Sequence, residues 1–197
     1  MTQQPLLLLD VDGPLNPYAA PKRRPEGYAT HRLRPSWWVA KQEHLAAVQA
    51  RQATRAKHAR PPAVRVKPLR VWLNPSHGEA LLALPYELVW ATGWMGEANT
   101  HIGPHIGLPE LPYIRWSDLF GVDADGLHWK TRDVVAWAAG RPFVWVDDEL
   151  GPQDEEWIAA HHPGRALALH VNPRIGLLAE DFATLRDWAE GCAVPGA

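Results

Sequence analysis

Four consecutive leucines, residues 6–9, run without interruption into Asp10. A short run that is apolar at every position, not at alternate ones, predicts a strand buried on both faces of a parallel sheet. Comparable strand patterns recur at RVWLN (70–74), YELVWAT (86–92), LPYIRW (111–116), RPFVWVDD (141–148) and ALALHV (166–171). Helical patterns separate most of them. Helices are expected from Ser76 to just before Pro85, over 95–107, over TRDVVAWAAG, over DEEWIAAHH and over EDFATLRDWAEG. Lys130 stands at the opening of the third of these and Gly140 at its close. Strands alternating with helices predict an α/β fold with helices on both faces of the sheet.

One stretch breaks the alternation. Residues 14–35 are rich in Pro, Arg and Gly and predict an irregular loop or hairpin. Residues 36–60, SWWVAKQEHLAAVQARQATRAKHAR, hold no Gly or Pro and predict a long helix with Ser36 as its N-cap. PPAVRVKP ends it. Residues 18–68 therefore read as an insertion within one domain spanning 1–197.

Chemistry-bearing residues gather where the strands end. Asp10 and Asp12 close the first run, Thr92 closes YELVWAT, and Asp147 and Asp148 close RPFVWVDD, with Lys130 just upstream. In an open parallel sheet, ligands bind beyond the carboxyl ends of the strands. One strand-terminal Asp is as well explained as a helix N-cap; the whole set in this order is not. Converging carboxylates repel unless a cation or shared protons intervene. Hard oxygen donors suit Mg²⁺ together with phosphate oxygens. Lys and Thr supply donors for the remaining phosphoryl oxygens. The constellation predicts a phosphoryl-transfer site.

The motifs LLLLDVDG (6–13), VWAT (89–92), Lys130 and VWVDDE (144–149) resemble those of the haloacid dehalogenase (HAD) superfamily of aspartate-nucleophile phosphatases. The resemblance implies a Rossmann-like three-layer α/β/α sandwich with a mainly parallel sheet, and residues 18–68 as a small basic cap after the first strand. It implies a phosphoric monoester hydrolase, with Asp10 as nucleophile and Asp12 as general acid and then base. It implies that Thr92, Gly93, Lys130 and the Gly13 turn contact the phosphorylated substrate. Mg²⁺ would sit at Asp10, the backbone carbonyl of Asp12, and Asp148 or Asp147. Members that dehalogenate lack an acid at the Asp12 position, so its presence favours phosphate esters. Pro14 departs from the family, where Thr is common, and removes a hydroxyl and an N–H near Asp12. RPEGYATHR, the LRVWLNPSHGEALLALPYELVWAT block and RPFVWVDDE look more loosely like a stand-alone bacterial group. That group is similar to the HAD domains of RNA-repair proteins.

Charge adds a partner question. The net formal charge is -2, yet 13 of the 20 Lys/Arg and only two of the 22 acids, Glu26 and Glu43, lie between Lys22 and Arg70. Arg23, Arg24, Arg32, Arg34, Arg51, Arg55, Lys57, Arg60, Arg65 and Lys67 are candidates for a nucleic-acid face over 22–70. A solvated basic helix or an intramolecular partner for the acidic core explains them equally simply. The substrate expectation is accordingly a nucleotide, a nucleic-acid end or another small phosphoester. The alternative is a non-catalytic nucleic-acid- or protein-binding module that works through the insertion. Oligomeric state is not legible. At 46% hydrophobic residues a sizeable core is within reach. A single cysteine, Cys192, excludes an internal disulfide, and the leucine run is too short for a signal or membrane segment. A cytoplasmic protein is expected.

Several other residues read as structural. Trp72, Trp90 and Trp145 sit inside strand patterns and belong to the core. Trp94, Trp116 and Trp129 lie near strand ends, where core packing or shielding of the site outweighs stacking on a base. His101 and His105, four apart, have Pro104 between them and lack the Glu of zinc hydrolases. His161-His162 suits a helix end, and Asp123-Ala-Asp125-Gly126 a turn.

Overall fold

The computed structural model describes residues 4–55 and 66–193. By internal contacts the chain divides into two compact units, Met1–Ala29 with Trp72–Ala197, and Thr30–Val71.

The larger unit is built on four parallel strands: β1 (Leu6–Leu9), β4 (Glu87–Trp90), β5 (Phe143–Asp147) and β6 (Ala166–His170), in the order β4-β1-β5-β6. Leu6 aligns with Glu87 on one side and Phe143 on the other, and Leu9 with Trp90 and Val146. All four leucines of β1 are buried, as a central strand flanked by two others requires. At roughly 1.5–3 kcal/mol per buried leucine side chain, this strand alone is a large hydrophobic contribution. One face packs Leu6, Leu8, Val89, Phe143 and Trp145 against Val134 and Ala138 of α5 (Thr131–Ala138) and Ile158 of α6 (Pro152–His161). Toward the other face, the Trp90 indole donates to Asn99 Oδ1 of α3 (Glu97–His101) at 2.7 Å. The Tyr86 hydroxyl donates to the Leu185 carbonyl of α7 (Ala179–Ala193) at 2.6 Å. The α/β expectation therefore holds, with a sheet parallel throughout its four strands.

Two expected strands behave differently. β3 (Leu69–Leu73) pairs with β2 (Ala29–Leu33) in a separate two-stranded sheet. Its Trp72 N–H is taken by Asn16 Oδ1 at 3.0 Å instead of by a strand of the main sheet. LPYIRW makes only an isolated parallel bridge, Trp90 with Tyr113. Pro112 has no N–H to donate to a ladder, and the Leu111 N–H is spent on Asn99 Oδ1.

The helices α2 (Ser76–Leu82) and α4 (Gly103–Ile106) fall within expected stretches. In the smaller unit the long helix α1 runs Ser36–Arg55, and residues 56–60 of its expected span lie outside the described residues. Its first N–H groups, of Trp38 and Val39, bond to the Pro35 carbonyl, so Pro35 holds the cap position and Ser36 is the first helical residue. None of residues 36–51 is buried. Arg23, Arg24, Arg32, Arg34, Arg51 and Lys67 are exposed; Lys57, Arg60 and Arg65 lie outside the described residues. Among the described residues no helix is long and apolar enough to cross a membrane.

Candidate active site

The strand order itself singles out one place. From β1 the chain goes first to one side, forming β4, and then to the other, forming β5 and β6. The direction reverses at β1, so the crevice beyond the carboxyl ends of β1 and β5 is the topological switch point. Asp10 follows β1 directly and Asp147 ends β5. Register places them together: the Asp10 N–H bonds to the Val146 carbonyl at 3.0 Å.

Between them lies Lys130, 2% exposed at the N-terminus of α5. Its ammonium donates to Asp10 Oδ2 at 2.8 Å and to Asp147 Oδ2 at 2.7 Å. Burial alone would lower the Lys130 pKa; the charges of Asp10 and Asp147 more than offset that and hold it above the usual lysine range. The other Asp147 oxygen accepts the Glu149 N–H at 3.0 Å, and Asp147 is fully buried. Asp147 is thus occupied with positioning the lysine.

Asp10, Asp147 and Asp148 each offer a carboxylate oxygen, all within 4.8 Å of one another. Burial pushes Asp10 up; Lys130 pulls it down, Asp147 and Asp12 push it up, and the result is about 7. Burial likewise raises Asp148, against the Tyr18 hydrogen bond and with the charges of Asp147 and Glu149, to about 6. One buried ammonium among these acids leaves a local excess of negative charge. An all-oxygen donor set with that excess fits a hard divalent cation.

Asp12 sits beside this cluster, its carboxylate held by donors on both oxygens. Asn16 Nδ2 donates to Oδ1 at 2.6 Å and the Trp94 indole N–H to Oδ2 at 2.8 Å. Burial raises its pKa while these two hydrogen bonds pull it down, leaving it above the usual carboxylate value. Pro14 contributes neither hydroxyl nor N–H, and Asn16 and Trp94 provide the donors instead. The turn that makes this possible needs Gly13. Its φ is +89°, and a Cβ there would collide with the Asp148 carboxylate.

Thr92 is buried one residue beyond the Ala91 N–H that bonds to the Leu9 carbonyl, so β4 delivers it to the same edge. Its hydroxyl oxygen accepts the Trp94 N–H at 3.3 Å, which leaves the O–H proton for another acceptor. Its carbonyl accepts the Trp116 indole N–H at 2.9 Å. Gly93 follows it, against the Phe120 ring.

A supporting network fixes the α5 terminus that carries Lys130. Asp154, buried on α6, accepts the Thr131 hydroxyl at 2.5 Å, the His128 N–H at 2.9 Å and the Gly151 N–H at 3.0 Å. His128 pairs with Glu149 at 2.9 Å.

The structure thus brings Asp10, Lys130, Asp147 and Asp148 together with Gly13 against Asp148, and the carboxylate of Asp12 stands outside the three-acid cluster. Sequence reasoning missed Asn16 and Tyr18 and the donor role of Trp94, which it placed as a packing residue. The spacing of Asn16 from Asp12 in a Pro-containing turn was the only available signal. The loop Asp123–Gly126 is a turn, with Arg132 bridging Asp123 and Asp125. His101 pairs with Glu97 at 3.6 Å.

No protein-family model matches the chain, and no curated protein or solved structure matches it significantly.

Proposed function

We propose that the chain is a Mg²⁺-dependent phosphoric monoester hydrolase of haloacid dehalogenase type on a Rossmann-like core, acting on a nucleotide, a nucleic-acid end or another small phosphoester. The observation that carries the reading is Asp10. A buried carboxylate at the switch point, 2.8 Å from an ammonium and clustered with Asp147 and Asp148, is an arrangement for nucleophilic attack on phosphorus.

In this reading an Asp10 oxygen attacks phosphorus as the bond to the leaving alcohol breaks. Asp12 gives its proton to the departing oxygen. A water then loses a proton to Asp12 and attacks the acyl phosphate, releasing inorganic phosphate and the Asp10 carboxylate. Its raised pKa suits Asp12 to holding a proton, and Asn16 and Trp94 orient its two oxygens. Lys130 favours the ionised form of Asp10 and, with the Thr92 hydroxyl and the Gly93 N–H, meets the phosphoryl oxygens. Asp10, Asp148 and the Asp12 carbonyl would hold Mg²⁺, because Asp147 is engaged by Lys130 and Glu149. Mg²⁺, when bound, supplies positive charge to the carboxylates and to the phosphoryl group.

The test is phosphate release from a generic aryl phosphate and from a panel of nucleotides, sugar phosphates and RNA ends. Release that requires Mg²⁺ and is lost in Asp10→Asn is expected. No release from any member of the panel, or full activity in Asp10→Asn, refutes the reading.

A further inference from the structure

Among the described residues, three non-glycine residues have positive φ: Met95, Phe120 and Ala139. Ala139 caps α5, a position where the left-handed conformation is ordinary. Met95 instead bonds through its N–H to the Thr92 carbonyl, and Phe120 lies against Gly93. A side-chain-bearing residue adopts this conformation only where its surroundings impose it, and such positions cluster at functional sites.

Phe120, at φ +60°, is also 69% exposed, an unusual state for a phenyl ring. The edge of its ring lies over Gly93: a Cβ on Gly93 would meet Phe120 Cζ at 3.1 Å. Behind it, the Trp129 ring lies 4.9 Å away, and Trp116 lies 5.1 Å from Trp129. Both tryptophans are half-buried. The strip reaches the nucleophile itself. Lys130 Nζ, which holds Asp10, is 5.3 Å from the Trp129 ring centre and 5.9 Å from that of Trp116. A chain of edge-on and tilted ring contacts therefore links the Lys130 ammonium to the solvent-exposed Phe120 ring.

This surface carries no charge of its own, and the one cation at its root is already matched by two carboxylates. At Gly93 it adjoins the residue that follows Thr92, where the phosphoryl oxygens would be met. An aliphatic phosphoester would leave the Phe120 face in water. We infer that Phe120, backed by Trp129 and Trp116, is the stacking platform for the base of a nucleotide phosphoester, and so a specificity-determining residue. The inference rests on the reading of Asp10 as the centre of a phosphoryl-transfer site.

Binding to the full chain carrying Asp10→Asn, in Mg²⁺ and without turnover, tests it by calorimetry. Adenosine 5′-monophosphate should bind at least about tenfold tighter than ribose 5-phosphate, as stacking of one base supplies roughly that factor. Phe120→Leu, apolar but without a π face, should remove most of the preference, and Phe120→Trp should keep it. A short oligonucleotide bearing a terminal phosphate distinguishes the source. Tighter binding than the mononucleotide assigns a nucleic-acid end, and equal or weaker binding a free nucleotide, both with Phe120 stacking. Equal affinity for the nucleotide and the sugar phosphate overturns the inference. So does a preference untouched by Phe120→Leu, or a Phe120→Leu effect confined to self-association of the chain. Turnover of an aryl phosphate by the parent separates the two readings. Turnover without base preference rejects the platform alone; base preference without turnover of any phosphoester rejects the hydrolase alone.

Discussion

Replacing Lys130 with Met removes the one ammonium in the acidic pocket while preserving most of the side-chain volume. The residue is 2% exposed and its partners Asp10 and Asp147 are 7% and 0% exposed. Two charge-assisted hydrogen bonds of 2.8 and 2.7 Å are lost, each worth about 1.5–3 kcal/mol. Two carboxylates are left facing each other out of water, and breaking a buried pair in this way costs about 3–5 kcal/mol. The cost depends on pH. Asp10 is already raised to about 7, and without Lys130 it rises further, while in the unfolded chain it titrates near 3.8. Between those values the folded state holds a proton that the unfolded state releases, so stability falls as pH rises through the interval. At pH 5 the variant relieves its repulsion by protonating Asp10; at pH 8 it cannot do so cheaply. Guanidinium unfolding followed by tryptophan fluorescence, in chelator, should show a loss of about 3–5 kcal/mol at pH 8 and a smaller loss at pH 5, with unchanged m. Adding Asp147→Asn to Lys130→Met should recover part of the deficit, because the two changes act on one contact. A loss below about 1 kcal/mol at pH 8, or a larger loss at pH 5, refutes the charge argument.

Other outcomes follow from the same geometry. Without metal, Asp10 raised to about 7 and Asp148 to about 6 should make the parent less stable at pH 8 than at pH 5; Mg²⁺ should abolish the slope, and melts in chelator that strengthen toward pH 8 would contradict it. Gly13→Ala places a Cβ into the Asp148 carboxylate at φ +89°, and should cost about 1–3 kcal/mol in denaturant unfolding and weaken Mg²⁺ binding by calorimetry; parental values for both reject the close approach. Trp94→Phe keeps an aromatic side chain, though a smaller one, and deletes the donor to Asp12. Turnover of an alkyl phosphate, whose leaving oxygen needs a proton, should fall tenfold or more, and that of an aryl phosphate much less; equal falls reject Asp12 as the acid. Leu8→Ala, at a fully buried position of β1, should lose about 2–5 kcal/mol by thermal or denaturant unfolding, and a loss under about 1 kcal/mol would deny β1 its central place.

The central strands were the most legible part of the chain because burial on both faces leaves no room for polar residues. LLLL and FVWV declare this directly, and the acids at their ends follow from where the strands stop. RVWLN has the same look but pairs elsewhere, since an apolar run does not say which neighbour accepts its N–H groups. For Trp72 that neighbour is the side chain of Asn16, a contact between residues 56 apart in sequence. LPYIRW failed as a strand for a local reason that Pro112 already carried. Trp94 shows the limit of composition: a tryptophan near a strand end is usually packing, and only the fold turns its N–H toward Asp12. The basic character of residues 22–70 was plain in sequence, and its target was not. Salt-sensitive retention of an oligonucleotide, weakened when Arg51, Arg55, Lys57 and Arg60 are neutralised, would assign that segment to nucleic acid; unchanged retention would exclude these four residues.

The most direct measurement is chemical capture of the Asp10 carboxylate during turnover. Borohydride added to the parent while it hydrolyses a phosphoester in Mg²⁺ should reduce an acyl phosphate at residue 10 to homoserine, identified by peptide mass spectrometry. Homoserine at position 10 that appears only with substrate is the predicted result. Sustained turnover with Asp10 recovered unmodified, or reduction at Asp12, Asp147 or Asp148 instead, would contradict the account.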